Sequence, residues 1–335
     1  MAVLRKSFGN SHLHIVQYVG SIKNAIMYKK IIATTIGLIV MLSLNGQPSK
    51  AIRDNHYPWF PFTWQGDFIN GKWHGKTSIV LPFGASGGIS KIHTIQLDTG
   101  CNGTFFTDEG YLKDNNLQKE DLKKILLAKI NTTSIQSFFS EMDKTLRKQF
   151  SCDSLTTRKV VHHQIGVIGS DLFENKILLI DYPNSKLCIL DSIDSNYRQK
   201  FTAVDMEIKY NLPLIPLKVG KRKHQLLFDT GSSDFDIHTS KKEWDSIVPI
   251  ALPIDTMGPL NSWGTPIWFF GLQSKDACEI AGNKFPKCEI WYSDNKRLED
   301  VYKTLNVFGL TGNSLYLDRV LMIDYKNKYF GIKNK

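Results

Sequence analysis

The chain has 335 residues, a formal net charge of +10, and ordinary shares of apolar (42%) and aromatic (11%) residues. That excludes a disordered or low-complexity chain and leaves room for one two-lobed unit or two domains. Arg5, Lys6, Lys23, Lys29 and Lys30 supply five of the positive charges before residue 31, and no later basic run is interleaved with aromatics, so nucleic-acid binding is not expected; attraction to an anionic envelope surface or acidic substrates stays open.

Residues 27–51 read as an export signal. Met27-Tyr28-Lys29-Lys30 is a charged start, Ile31 to Leu44 an apolar core, and Asn45 to Ala51 a small or polar exit. The core falls short of the roughly 20 residues a spanning helix needs. Residues 1–26 show no such pattern, so translation is expected to begin at Met27. An uncleaved anchor is the alternative, and it would be the only membrane attachment. Residues 1–50 are thus taken as signal or anchor, and the mature protein as secreted or held in the cell envelope or periplasm.

Residues 52–64, rich in Pro and aromatics, read as a leading strand packed on the body or as a covering pro-segment. Thr77 to Pro82 and Leu212 to Val219 are strand-like. Gly84 to Gly88 is a turn without the Lys of a phosphate loop. Glu120 to Ile130 carries helical apolar spacing at Leu122, Ile125, Leu126 and Ile130. His162 and His163 point to opposite faces of a strand and have no ligand-spaced partner, so they are read as surface histidines and no metal is expected. The polar stretch Asp191 to Lys200 is the expected connector between lobes spanning 51–195 and 196–335. Ser232-Ser233 lacks the Gly-x-Ser-x-Gly of a serine hydrolase.

Asp-Thr-Gly occurs at Asp98-Thr99-Gly100 and again at Asp229-Thr230-Gly231, each after an apolar run, an offset of 131 (229 − 98). Phe138-Phe139 falls on Phe269-Phe270 at the same offset. Val167-Ile168-Gly169 through Ile189 lies over Leu310-Thr311-Gly312 through Ile332 without a gap, at an offset of 143 (312 − 169). The chain therefore reads as a duplicated lobe, with 12 extra residues (143 − 131) in roughly 271–306. Five Cys is an odd count. Cys278 and Cys288, inside the insertion, are the expected disulfide of an oxidising compartment. Cys188 reads as a buried small hydrophobe; a Cys101–Cys152 pairing stays open.

Two carboxylates a few ångströms apart cannot both ionise. They share a proton, one acting as base toward water and the other as acid toward a carbonyl. Ser232 offers a hydroxyl to its carboxylate where Cys101 offers only a weak S–H donor. Asp229 is therefore expected to be the ionised member and Asp98 the protonated one.

These paired motifs resemble the pepsin-like and retropepsin-like aspartic proteases over about residues 57–335. The resemblance implies an all-β fold with few short helices, bilobal and acid-protease-like, with the active-site cleft between two duplicated lobes. It implies catalysis by Asp98 and Asp229, loop support from Thr99, Gly100, Thr230, Gly231 and Ser232, a polypeptide substrate, a monomer and no cofactor. Phe138, Phe139, Trp268 and Phe269, with Trp263 and Phe270, fall where such a family places flap-like hairpins and are candidate cleft residues. Thr311 stands where an apolar residue is usual, and no Tyr lies between Tyr111 and Tyr182 to serve as a first-lobe flap tyrosine. A non-catalytic peptide- or polymer-binding protein on the same fold is the alternative; a membrane-anchored structural protein is a third reading, if the apolar segment is retained.

Overall fold

A computed structural model describes residues 57–86, 91–130, 135, 139, 161–248, 254–262, 265–274, 276–286 and 288–334. The export signal, Cys152, Phe138 and Trp263 lie outside the described residues. Strands hold 48% and helices 20%, so the protein is mostly β-sheet. His56–Lys335 make one compact unit. No helix among the described residues is long and apolar enough to cross a membrane.

The first half contains β1 (Phe60–Pro61), β2 (Thr63–Ile69), β3 (Lys72–Ser86), β4 (Lys91–Leu97), β5 (Phe105–Phe106), α1 (Glu109–Asn115), α2 (Asp121–Ile130), β6 (Val161–Ile168), β7 (Ile177–Asp181) and β8 (Lys186–Leu190). The expected helix is thus α2, whose Leu122 and Leu126 are fully buried. The connector holds one turn of helix, α3 (Ser195–Arg198), capped by Asp194. The second half runs β9 (Phe201–Asp205), β10 (Glu207–Lys209), β11 (Leu212–Val219), β12 (Arg222–Phe228), β13 (Ile237–Thr239), α4 (Lys241–Asp245), β14 (Asp255–Ser262) and β15 (Thr265–Gln273). It continues with β16 (Cys278–Ile280), β17 (Asn283–Phe285), β18 (Glu289–Ser293), α5 (Lys296–Leu305), β19 (Gly309–Thr311), β20 (Val320–Asp324) and β21 (Tyr329–Lys333).

The duplication is visible in the pairing. In the first half β2, β3, β4, β6 and β5 lie side by side; in the second, β10, β11, β12, β19 and β13 follow the same order. In each, the strand ending at Asp-Thr-Gly runs parallel to the later strand, Leu97 beside Ile168 and Phe228 beside Thr311. The insertion is the β16–β17 hairpin, added at the β11 edge.

A third sheet is shared, in the order β1-β8-β7-β20-β21-β9. At its centre Leu179 pairs with Met322, its own counterpart 143 residues on (322 − 179). A local two-fold axis therefore passes between β7 and β20. Tyr182 N–H donates to Arg319 O at 3.2 Å and Tyr325 N–H to Lys176 O at 3.0 Å, the same bond made twice across that axis. The local turns repeat as well: Asp181 binds the Asn184 backbone and side chain as Asp324 binds those of Asn327. The sheet's apolar residues Leu178, Ile180, Leu321 and Ile323 are fully buried in the main core.

The β2–β3 hairpin crosses to the other half. Its Asn70-Gly71 turn has φ of 52° and 72°, the left-handed pair that Asn-Gly adopts with least strain. Asn70 Nδ2 donates to Thr256 O at 2.8 Å, and Gly258 N–H donates to Asn70 Oδ1 at 3.2 Å. Ile69, 1% exposed, enters the second half's apolar cluster with Leu212, Phe235 and Met257.

Candidate functional site

The two Asp-Thr-Gly loops meet on the local axis, joined by four hydrogen bonds. Thr99 N–H donates to Thr230 Oγ1 at 3.0 Å, and Thr230 N–H donates to Thr99 Oγ1 at 3.0 Å. Each hydroxyl in turn donates to the other half's strand, Thr99 Oγ1 to Phe228 O at 2.9 Å and Thr230 Oγ1 to Leu97 O at 3.0 Å. Both threonines are fully buried, where an unmade bond would cost on the order of 1–3 kcal/mol per group.

Each loop is held to its own parallel strand in the same way. Asp98 N–H donates to Ile168 O and Asp229 N–H to Thr311 O, both at 2.9 Å; Ser170 N–H donates to Cys101 O and Asn313 N–H to Ser232 O, both at 2.8 Å. Glycine is needed where the loops touch. A Cβ on Gly231 would sit 2.7 Å from Asp98 Cγ, and one on Gly100 closer still to Asp229 Cγ, so any side chain would force the carboxyls apart.

The Asp98 carboxyl lies against Gly231 and the Asp229 carboxyl against Gly100, which brings the two acids close enough to act on each other. Asp98 is 7% exposed; Asp229 is half-buried. Burial holds the Asp98 carboxyl well above the usual range, and the charge and hydrogen bond of Asp229 push it further. Burial also raises Asp229, but the hydrogen bond from Asp98 and the backbone N–H groups of Gly231 and Gly100 oppose the rise. The pair titrates as a unit, with the charge favoured on Asp229 and the proton on Asp98. The donor that meets Asp229 is not the one expected from the sequence. The Ser232 hydroxyl makes no hydrogen bond to Asp229; Gly231 N–H does, at 2.8 Å to Oδ1.

Several expectations need correcting. Phe139 is fully buried in the main core, its ring 5.3 Å from Phe60, and Phe269 is 4% exposed in the second half's cluster. Neither lines a cleft: both aromatic rings gain more by burial than exposure on a rim would allow. Trp268, on β15, is 48% exposed, and Phe270 is half-buried. Cys278 and Cys288 are free thiols, not a disulfide. Both are fully buried, and their mutual hydrogen bond together with burial pushes the Cys288 thiol up. Cys188 is a buried hydrophobe. Thr311 is accommodated because its hydroxyl donates to Asp236 O at 2.7 Å.

His163 is not a surface histidine: its Nε2 lies 2.6 Å from Asp108 Oδ2 and its Nδ1 3.1 Å from His93 Nδ1. Position along one strand could not reveal partners on β4 and at the α1 cap. Among the described residues no group of three or more His, Cys, Asp or Glu could hold a metal ion. Beside the loops, Asn102, Tyr210, Leu212, Arg297, Val301 and Leu305 line part of a pocket of about 520 Å³. α5, which forms one wall, also carries Tyr302, whose hydroxyl is pushed well above its usual range by burial and by the Asp229 charge.

Sequence reasoning missed Ser170, Asn313 and Asp234. The 143-residue frame pairs the first two and would have found them. Asp234, raised to about 7 by burial and by Asp67 on the crossing hairpin, needs the fold to be seen.

No protein-family model matches this chain, and no curated protein matches it.

Proposed function

We propose that this protein is an aspartic-type endopeptidase with the bilobal acid-protease-like fold, in which Asp98 and Asp229 activate water against a peptide bond. The observation that carries this reading is that the two Asp-Thr-Gly loops are clasped by the reciprocal Thr99 and Thr230 bonds so closely that each loop's glycine packs on the other loop's carboxyl. With the charge on Asp229, its carboxylate accepts a proton as water attacks the scissile carbonyl, while Asp98 donates its proton to the carbonyl oxygen. The tetrahedral diol then collapses: the amide nitrogen takes the proton now on Asp229, one diol hydroxyl gives its proton to Asp98 as the C–N bond breaks and the carboxylic acid forms, and the dyad is left with one shared proton. The pair supplies both acid and base, so the step as written calls on no cofactor. The proposed substrate is an unfolded polypeptide, with an apolar preference set by residues such as Trp268 and Leu212. The enzyme is proposed to act as a monomer in an exported or envelope compartment.

The test uses the full-length chain against denatured polypeptide between about pH 3 and 8. Cleavage should persist with chelators and serine-directed acylating agents and should be blocked by a peptide analogue bearing a hydroxyl at the scissile carbon, which takes the place of the attacked carbonyl. Asp98→Asn and Asp229→Asn should each lower kcat by at least about a thousandfold, because an amide neither shares the proton nor acts as base. Retained cleavage in both variants places the chemistry elsewhere. No cleavage by a folded wild-type protein turns the reading to a peptide-binding protein.

A further inference from the structure

The two-fold frame pairs Ser170 with Asn313 (313 − 170 = 143) and Tyr182 with Tyr325 (325 − 182 = 143), yet the bonds these residues make are unequal. Asn313 is fully buried. Its Nδ2 donates to Thr230 O at 2.7 Å and to Ser233 Oγ at 2.8 Å, and its Oδ1 accepts from the Tyr182 hydroxyl of the first half at 2.6 Å. On the opposite side Ser170 Oγ reaches Thr99 O at 3.2 Å while binding Cys101 O at 2.8 Å. The Tyr325 hydroxyl is buried and has no hydrogen-bond partner among the described residues. Serine is too short to span both the loop and the tyrosine; asparagine spans them.

The Thr230 carbonyl belongs to the same peptide unit as the Gly231 N–H, which donates to Asp229 Oδ1 at 2.8 Å. A donor on a peptide carbonyl polarises the unit and strengthens its N–H. The bonds therefore run in one direction: Tyr182 hydroxyl to Asn313 amide, amide to the Thr230–Gly231 peptide, peptide to the Asp229 carboxyl. The titratable groups facing Asp229 are Asp98 and Cys101 from the first loop and Tyr302 from α5. All three are acids, so none of them favours a negative charge there by attraction.

We propose that Tyr182 and Asn313 are positioning residues, which tie the second Asp-Thr-Gly loop to the first half and make Asp229 the charge-bearing member of the pair. This rests on the aspartic-dyad reading for its consequence in catalysis, but not for its geometry. The first half's equivalent chain is shorter and weaker: Ser170 reaches Thr99 O at 3.2 Å but stops short of Tyr325, so no tyrosine heads the chain to Asp98.

The test compares full-length wild-type protein with Tyr182→Phe, Asn313→Ser and the double variant. Carbon-13 labelling of the aspartate carboxyls gives a titration curve for Asp229 that needs no activity. Its midpoint should rise by about half a unit in each single variant, roughly threefold in proton affinity, and no further in the double, since both changes break one chain. In turnover, kcat should fall several-fold with KM unchanged, and the acidic limb of the pH profile should move to higher pH. Unchanged carboxyl midpoints and an unchanged limb overturn the proposal, even if the variants melt earlier, because a merely structural role predicts only the melting. If the wild type cuts nothing while the midpoint still shifts, the proteolytic reading fails and the positioning stands.

Discussion

Thr99 and Thr230 carry the junction on two hydroxyls, and each is both donor and acceptor across it. Removing one hydroxyl strands a buried N–H and a buried carbonyl together. Thr99→Ala should therefore destabilise the protein by about 2–4 kcal/mol, whereas Thr99→Ser, which keeps the hydroxyl, should cost under about 1 kcal/mol. Denaturant unfolding with unchanged m-values measures both; a small loss in the alanine variant would mean the four bonds are not held in solution. At this scale the sequence was most legible. Asp98, Thr99, Gly100 and their counterparts were found as a repeated tripeptide, because a two-fold site must present the same short string twice. Asn313 was within reach of the 143-residue frame, but its bond to Tyr182, like the pairing of Asp234 with Asp67, depends on which residue faces it in the fold, and no local string records that.

The β2–β3 hairpin turns at Asn70-Gly71, and its destination depends on Ile69 finding an apolar cluster built by the other half. Asp234 lies under this strap, its carboxyl raised to about 7 by burial first and by Asp67 second. A carboxyl with a raised folded value stabilises the protein fully below its unfolded value near 4, and that stability is lost as pH rises through about 7. Wild-type protein should thus lose on the order of a few kcal/mol between pH 4 and 7 from this group, chiefly through its burial and secondly through Asp67 of the hairpin. Asp234→Asn should flatten that part of the stability curve in denaturant titrations at successive pH values. An unaltered slope would show that Asp234 is already ionised at pH 5. The Phe138-Phe139 to Phe269-Phe270 match belongs to the element scale as well. Phe138 lies outside the described residues, and Phe139 is fully buried in the main core whereas its counterpart Phe270 is only partly buried, on β15.

At the scale of the whole molecule, the shared sheet decides how the parts cooperate. β7 is covered along one edge by β8 and along the other by β20 from the second half. Residues 57–195 made alone would expose that edge, with Leu178 and Ile180 uncovered. The chain should unfold in one calorimetric transition, and either half alone should aggregate or lack fixed tertiary structure. Two separated transitions would show that the sheet does not couple them. The duplication was legible because both halves kept their turn and strand residues in phase; the interleaved sheet was not, since strand partners 140 residues apart leave no spacing signal.

That sheet also says what the connector between Asp191 and Lys200 is for. If the halves recognise each other through paired strands and a reciprocal loop clasp, the peptide link between them serves chiefly as a tether, raising the local concentration of one for the other to roughly the millimolar range. A molecule nicked there, or assembled from two separately translated pieces mixed together, should form the same particle with the same pair of aspartates at its centre.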